Sequence, residues 1–196
     1  MPDYYRISLQ SVKYAILITI ALIILAPLVS NVLGSVRTTP EVVRQPFGLP
    51  TRGIQWENYT SILDDPAFWQ SFRASIFITV MTTTLTVSLS SMLAFLFARI
   101  EFFGRNLLFN FFTLGLMFPI VIAILPVFIR VRELGLINSY WGVILPLVAF
   151  GIPGSTIILR SFFRAIPNEL EDAAYIDGCT IIGFFRHILI PLARPA

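Results

Sequence analysis

Four long stretches without a charged residue constrain this chain more than any other feature of its sequence. They contain 23, 25, 24 and 26 residues and cover 14–36, 74–98, 106–129 and 134–159. A helix needs about 20 predominantly apolar residues to cross the hydrocarbon core of a bilayer, so each stretch is long enough. Lipid offers no partner to backbone polar groups, and the alternation of a barrel strand is absent. The sequence therefore predicts an all-α membrane protein, a polytopic helical bundle with four visible spans.

The composition excludes several other classes of protein. Hydrophobic residues make up 56% of the chain and charged residues 13%, and the mean hydropathy is +0.81. The net charge is only +3 and the basic residues are scattered, so no nucleic-acid-binding face is predicted. One cysteine, Cys179, and one histidine, His187, provide neither a disulfide nor a metal centre. The spans hold no acidic, histidine or cysteine cluster, which disfavours a membrane-embedded enzyme and leaves no catalytic residue to name.

The basic residues predict the orientation of the chain in the membrane. With residues 1–13 as a cytoplasmic N-terminus, eight basic residues face the cytoplasm and six face outside, which the positive-inside rule favours. The cytoplasmic set is Arg6, Lys13, Arg99, Arg105, Arg160, Arg164, Arg186 and Arg194, and the external set is Arg37, Arg44, Arg52, Arg73, Arg130 and Arg132. The first span exceeds the roughly 7–15 residues of a signal-peptide core and lacks a small-residue cleavage site, so we expect it to be retained.

An external loop, 37–72, separates the first two spans. It begins with proline and glycine and then gathers aromatic residues of the kind that anchor at a membrane surface. These are Trp56, Tyr59, Phe68, Trp69 and Phe72. An anchoring loop is favoured over a ligand site. The run DDPAFWQSF predicts a short interfacial helix with Asp64 or Asp65 as its N-cap and Pro66 in its first turn.

The segment 160–191 follows the fourth span and lies in the cytoplasm by this count. Pro167 can open a helix there, because its missing N–H would have no partner in a first turn. Glu169, Glu171 and Asp172 then occupy the first turns, where negative charge is favourable to the helix dipole.

One face of this predicted helix is lined by small residues. Leu170, Ala173, Ala174 and Asp177 share it by their spacing, and the two alanines would let another backbone approach closely. Gly178 fits the position that ends a helix, and an apolar stretch, TIIGFFRHILIPL, follows. The pattern predicts a short helix, a glycine break and a second amphipathic helix. This unit is either an ordinary surface hairpin or a docking site.

The same segment resembles the EAA loop of ABC importer permease subunits, whose pattern is E-A-A, three residues, G, nine residues and I-x-L-P. The matching residues are Asp172, Ala173, Ala174, Gly178, Ile188, Ile190 and Pro191. Aspartate for glutamate and Ile190 for leucine keep the chemical character of the pattern. The stretches WENYTSILDDPAFWQSFRASI, LFARIEFFGR and GLINSYWGVILP are similar to the carbohydrate-uptake branch, to which the second permease of the maltose system belongs.

The resemblance implies a permease that moves a sugar by alternating access, driven by a separate cytoplasmic ABC ATPase dimer. The ATPase would hold the ATP, since this chain has no G-x-x-x-x-G-K-[ST] motif; no enzyme activity and no cofactor are expected of the chain itself. Other implied partners are a second homologous permease, an external substrate-binding protein and the lipid of a prokaryotic plasma (inner) membrane. ATP would shift a two-state equilibrium, and the loop would transmit that shift as a coupling helix.

The resemblance also assigns residues to the coupling loop. They are Glu171, Asp172, Ala173, Ala174, Asp177, Gly178, Phe184, Phe185, Ile188 and Pro191. The acidic side chains would meet polar or basic groups on the ATPase, and the two phenylalanines would pack the second helix onto the bundle. The family implies six spans, with the start of a fifth at 192–196 and a permease domain over about 70–196.

Prolines and hydroxyl side chains mark the interior of the later spans. Pro119 and Pro126 are expected to kink or break the third span, as Pro146 and Pro153 are the fourth. A polar stripe runs along the second span through Thr82, Thr83, Thr84, Thr86, Ser88, Ser90 and Ser91. Pro119, Thr83 and Ser90 are candidates for a translocation path. Kinks that serve packing alone, and hydroxyls that bond between helices, are the alternatives.

Three functional alternatives stay open on the sequence. The first is an ABC permease for another solute, such as glycerol phosphate, an amino acid or a polyamine. The second is a membrane scaffold, and the third is an inactive truncated fragment.

Overall fold

A computed structural model describes the backbone of residues 3–193 and the side chains of residues 10 and 12–193. These residues form helices and turns without a strand, and they divide into two compact units, Met1–Ser71 and Phe72–Ala196. Three single helices are long and apolar enough to cross a membrane, and one bent pair makes a fourth span if it is counted as one. The predicted all-α membrane fold is confirmed.

Among the described residues, the first unit contains three whole helices, α1 (Asp3–Ser35), α2 (Thr39–Arg44) and α3 (Glu57–Leu63), and the start of a fourth at Pro66. The apolar part of α1 that is long enough to cross a membrane covers Val12–Ser35. The helix begins earlier, at Asp3, within the segment that the sequence assigns to a cytoplasmic N-terminus.

The loop after α1, which the sequence predicts to be external, is organised by one arginine and one glutamate. The buried Arg37 guanidinium donates to the carbonyl oxygens of Gln45 at 2.8 Å and Glu41 at 2.7 Å. The Glu41 carboxylate in turn accepts from the backbone N–H groups of Thr38 and Thr51, both at 3.1 Å. These bonds give the loop a defined fold of its own.

The run DDPAFWQSF is not a separate interfacial helix, so that prediction was wrong in extent. It supplies the first turns of α4 (Pro66–Arg99), which continues without interruption into the second span. No proline or glycine occurs between Pro66 and Gly104 to end the helix earlier. The expected cap is present at Asp65, whose Oδ1 accepts from the Ala67 N–H at 2.8 Å.

The third charge-free stretch is not one continuous helix. It corresponds to α5 (Arg105–Leu114), a 3-10 turn (Gly115–Met117) and α6 (Ile120–Glu133), and the two halves are bent by 97°. Pro119 lies at the break, and Phe118 before it is extended (ψ 117), as expected for a residue that precedes proline. Pro126 lies inside α6 without interrupting it.

The fourth helix, α7 (Trp141–Ala165), begins later than the charge-free stretch at 134–159 and ends after it. The difference arises because residues 134–140 form a turn, in which Gly135 and Asn138 have left-handed φ values of 69° and 63°. A stretch defined by missing charge cannot reveal a turn built from uncharged residues. The helix runs uninterrupted through Pro146 and Pro153, where the sequence predicts a kink or a break.

The hydroxyl stripe of α4 meets α7 at a close helix contact. Ser90 is fully buried and its Oγ donates to the Ile152 carbonyl oxygen at 3.3 Å. A Cβ added to Gly151 would lie 3.0 Å from Cγ2 of Thr86, so glycine lets the two helices approach. The bond from Ser90 is the kind that links helices in a membrane.

The chain ends in four short elements on a small hydrophobic core. They are α8 (Asn168–Ile176), α9 (Ile181–Phe184), a π-helical turn (Phe185–Leu189) and α10 (Ile190–Leu192). The core consists of Ala94, Phe95, Phe163, Ala174, Phe184 and Leu189. It lies where α4 and α7 end, so the segment 160–191 is packed onto the ends of two spans. The predicted start of a fifth span extends to 194–196, outside the described residues.

Candidate functional site

The acidic helix α8 begins as its sequence predicts. Pro167 precedes it with an extended backbone (ψ 141), and Glu169 and Glu171 lie in its first turn. Carboxylates there are favoured by the positive end of the helix dipole. The helix can therefore form in a segment with few apolar residues.

The end of α8 is a glycine-dependent Schellman cap. Gly178 has φ +79°, a value that side-chain-bearing residues rarely adopt. The Cys179 N–H donates to the Ala174 carbonyl oxygen at 2.9 Å, and the Gly178 N–H donates to that of Tyr175 at 3.0 Å. These two bonds satisfy carbonyls that the end of a helix leaves open. The cap turns the chain sharply toward α9.

The two alanines of the EAA-like pattern face different surroundings. Ala174 is buried in the core beneath α8, whereas Ala173 is exposed. Only Ala174 therefore provides the close approach of α8 to its own chain. Ala173 belongs to the outer surface of the helix.

The outer surface of α8 combines carboxylates with an apolar side chain. Its exposed residues include Asp172, Ala173, Ile176 and Asp177, and Ile176 is 85% exposed. We call these four residues the outer face of α8. An isoleucine this exposed beside two carboxylates offers a contact that is apolar at its centre and anionic at its rim.

The second helical segment is anchored by aromatic residues. Thr180 caps α9 by accepting the Gly183 N–H at 3.1 Å. Phe184 is fully buried in the core, and the half-buried Phe185 ring lies 4.9 Å from that of Phe95 on α4. Both phenylalanines thus contact the bundle rather than the outer face of α8.

Three further residues of this segment differ in their burial. Ile188 is half-buried against the core and Pro191 is exposed at the start of α10. Leu189 is fully buried, although sequence reasoning omitted it. The π-helical turn brings it inward, and a spacing argument based on a regular α-helix does not anticipate such a turn.

Arg99, the last residue of α4, is a further residue of this site that sequence reasoning missed, as it missed Leu189 and Ile176. Its side chain is 4% exposed, and its Nη1 lies 3.3 Å from Oε2 of Glu171, whose side chain is 16% exposed. Its Nη2 donates to the Phe163 carbonyl oxygen at 2.6 Å and to that of Ile166, and its Nη1 donates to Oδ1 of Asn168. The sequence shows only that Arg99 follows a charge-free stretch, and the acidic helix that it contacts begins at Asn168.

Glu171 lies on the side of α8 that faces Arg99. The resemblance places Glu171 among the carboxylates that meet the ATPase, but its carboxylate faces inward and is paired with Arg99. Its other oxygen, Oε1, accepts from the Tyr175 hydroxyl at 2.9 Å. Partial burial and this carboxylate raise the pKa of Tyr175 to about 12 from its ordinary value of 10.

A polar cleft of about 490 Å³ opens beside the Arg99–Glu171 pair. Charged residues of both signs line it, namely Arg99, Glu101, Arg105, Arg164, Glu171 and Asp172. Among the described residues, no group of three histidine, cysteine or acidic side chains is placed to hold a metal ion.

The three candidates for a translocation path lie apart from this site. Pro119 is exposed at the break of the third span, and Thr83 is exposed on α4. The Ser90 hydroxyl is buried against the α7 backbone, which favours the alternative of a bond between helices.

The comparisons with known proteins agree with this architecture. Residues 87–196 match the family described as binding-protein-dependent transport system inner membrane component. Over 94% of its length the chain is 35% identical to the diacetylchitobiose uptake system permease protein NgcG of Streptomyces coelicolor, of which it covers 61%. Over 98% of its length it is 32% identical to the arabinooligosaccharides transport system permease protein AraQ of Bacillus subtilis, of which it covers 67%.

A solved structure shares the fold. The whole chain superposes with a TM-score of 0.81 and 25% identity on 68% of a chain in the crystal structure of a bacterial ABC transporter involved in the import of the acidic polysaccharide alginate. The chain spans about three fifths of the length of several curated relatives that it matches. The family match covers more than half of the chain and includes the packed segment 160–191. The chain belongs to the family of binding-protein-dependent transport system inner membrane components.

Proposed function

We propose that this chain forms the membrane-spanning part of a carbohydrate importer, in which α8 couples the spans to a separate cytoplasmic ABC ATPase dimer. The observation that carries the proposal is the outer face of α8. It presents an exposed isoleucine between carboxylates, while the opposite side of the same helix is fixed to α4 and α7. Because α8 is fixed to α4 and α7, a partner that displaces α8 would also displace these two spans.

The substrate class rests on the relatives. The names of two similar permeases refer to diacetylchitobiose and to arabinooligosaccharides, and the structural relative imports a polysaccharide. A sugar delivered by an external binding protein, a second homologous permease beside this one and a prokaryotic plasma membrane complete the proposal. The N-terminus and the segment 160–191 both lie in the cytoplasm in this arrangement.

Within α8, the proposed contact with the ATPase consists of Asp172, Ala173, Ile176 and Asp177. Ala174, Phe184, Phe185 and Ile188 hold the segment on the bundle, and Gly178 sets the angle between its two helices. This division assigns only the exposed members of the EAA-like pattern to the partner.

The experiment that tests the coupling role is substitution of Gly178. No atom lies within 4 Å of a Cβ built at this glycine, so a substitution acts through the left-handed backbone alone. That conformation costs an L-residue about 1–2 kcal/mol, less than the overall stability of a folded protein, and a β-branched residue suffers most. We expect Gly178→Val to reorient the end of α8 and abolish uptake, while membrane insertion stays intact.

The matched control is Gly178→Asn, since asparagine tolerates the left-handed region and should retain most of the uptake. Uptake is measured in cells with labelled diacetylchitobiose and arabinooligosaccharides, and insertion by membrane fractionation. Wild-type uptake by Gly178→Val would refute the coupling role. Uptake of glycerol phosphate or an amino acid, but of neither sugar, would refute the carbohydrate assignment.

A further inference from the structure

Arg99 lies at the only point among the described residues where hydrogen bonds from one side chain join the ends of α4, α7 and α8. It belongs to the last turn of α4. Its guanidinium bonds to the carbonyl oxygens of Phe163 and Ile166 at the end of α7, and to the side chains of Asn168 and Glu171 in the first turn of α8. One buried cation therefore touches all three helices.

The chemistry of these contacts requires arginine. The last carbonyl oxygens of a helix have no donor within the helix. At the end of α7, Arg99 of α4 supplies the missing donors and so caps the helix. A guanidinium offers five N–H donors in a fixed planar fork, so it can bond to several oxygens in different directions at once. A lysine ammonium carries the same charge on a flexible stem and cannot keep this set of directions.

The other contacts between α8 and the rest of the bundle are apolar and do not fix its orientation. Ala174 is the one buried residue of α8, and it contributes a single small side chain to the core. The Tyr175 ring adds a contact with Phe184, at 6.1 Å between ring centroids. Apolar contact is non-directional, so these contacts alone would let α8 slide or tilt. One hydrogen bond to Asn168 and an ion pair to Glu171 fix both the position and the rotation of the first turn.

We propose that Arg99 is a positioning residue that makes α8 and the ends of α4 and α7 one mechanical body. The inference rests on the proposed function, in which an ATPase displaces α8. If α8 could tilt at its junction with α7, this displacement would not move the second and fourth spans; the bonds of Arg99 oppose such tilting. The residues between α7 and α8 are only Ile166 and Pro167, and Arg99 bonds to Phe163 before them and to Asn168 after them.

The test measures a distance within the assembled transporter. Spin labels are placed at Val87 on α4 and Glu169 on α8, both exposed, in a background where the single cysteine, Cys179, is replaced by alanine. The complete transporter, with its ATPase, is reconstituted in lipid nanodiscs. Double electron–electron resonance then gives the distance without nucleotide and after trapping with ATP and vanadate.

We expect one narrow distance in the wild type, unchanged between the two states. In Arg99→Lys the distribution of distances between the two labels should broaden, and its mean should differ between the two states, while the ATPase remains bound. Arg164→Lys is the matched control, the same exchange at an exposed arginine in the last turn of α7, and it should behave as the wild type. Glu171→Gln removes the negative charge of the pair and leaves one acceptor oxygen for Arg99 or Tyr175, while the Arg99 bonds to Phe163, Ile166 and Asn168 remain, so it should broaden the distribution less than Arg99→Lys.

Several outcomes would overturn the inference. A wild-type distance that changes on trapping would show that α8 moves independently of α4. Narrow, unchanged distances in both Arg99→Lys and Glu171→Gln would show that other contacts hold α8, and Glu171→Gln decides the question if Arg99→Lys does not assemble. Failure of the wild-type chain to retain any ATPase would instead refute the proposed function, which separates the two ideas.

Discussion

Glu41 shows how much a single side chain can organise outside the membrane. Its carboxylate accepts hydrogen bonds from the Thr51 hydroxyl and from backbone N–H groups on both sides of the loop, at Thr38 and at Arg52. A carboxylate that accepts several such bonds is favoured in its charged form. The Thr51 hydroxyl contributes most, and together the bonds hold the pKa of Glu41 at about 2 against an ordinary value of 4.5.

This lowered pKa predicts an acid-sensitive loop. Because the folded pKa lies below the unfolded value, the charged carboxylate contributes its full stabilisation above about pH 4.5 and loses it as the pH falls toward 2. We expect hydrogen–deuterium exchange of residues 38–52 to be slower in the wild type than in Glu41→Gln at pH 6, and the difference to vanish near pH 2. Glu57→Gln, an exposed acid of α3, is the control. Equal protection of all three proteins at pH 6 would contradict the prediction.

Residue types were easier to predict than the directions in which the side chains point. The sequence places Ala173 and Ala174 on one face of α8, yet one faces the core and the other is exposed. It likewise groups Glu171 with Asp172, although only Asp172 is exposed and Glu171 meets Arg99. Neighbours in sequence differ by about 100° around a helix, so their surroundings depend on where the rest of the chain lies. That placement comes from contacts 72 residues apart, which no local pattern contains.

At the scale of elements, the contact between α4 and α7 depends on a glycine. A Cβ at Gly151 would meet Thr86 Cγ2 at 3.0 Å, whereas one at Gly154 would lie 3.6 Å from Leu116 Cδ2, an ordinary contact. Close approach through small residues is a main source of helix association in membranes, where lipid is as apolar as the helices. The two glycines lie three residues apart on α7 but have different tolerance for a side chain.

We therefore expect Gly151→Val to weaken the α4–α7 contact, by about 1–3 kcal/mol for an overpacked site. The loss should appear as a lower midpoint of thermal unfolding of the purified protein in detergent. Gly154→Ala is the control and should leave the midpoint unchanged or raise it, since alanine is favoured over glycine in a helix. Equal midpoints for Gly151→Val and wild type would show that the helices can separate at no cost.

The lengths of the charge-free stretches predicted that long apolar helices exist, but they did not predict where those helices begin and end. The four stretches correspond to α1, α4, the α5–α6 pair and α7. Yet the third is two helices bent by 97°, and the fourth begins after a turn with Gly135 and Asn138 in left-handed conformations. Hydropathy measures whether a segment can enter lipid, and it contains no term for backbone angles. Pro119 correctly predicted the break between α5 and α6. Pro153 carried the same prediction for the fourth span, yet α7 continues through it.

At the scale of the whole molecule, the bent α5–α6 pair decides the topology. If the pair crosses the membrane as one broken span, the chain crosses four times and the segment 160–191 lies on the same side as the N-terminus. If the pair turns back as a re-entrant loop, the chain crosses three times and the segment 160–191 lies on the opposite side. Backbone that is not helical at membrane depth is tolerated only where protein or water satisfies it, so both forms are physically allowed.

We predict four crossings, because the outer face of α8 must reach the cytoplasm for the proposed function. Single cysteines at Val43 in the external loop, Ile137 between α6 and α7, and Ile176 on α8 are tested in the Cys179→Ala background; all three positions are exposed. A membrane-impermeant maleimide added to intact cells should label the cysteines at 43 and 137 and leave that at 176 unlabelled until the membrane is opened. Labelling at 43 and 176 but not at 137 would establish the re-entrant form and place α8 out of reach of any cytoplasmic ATPase.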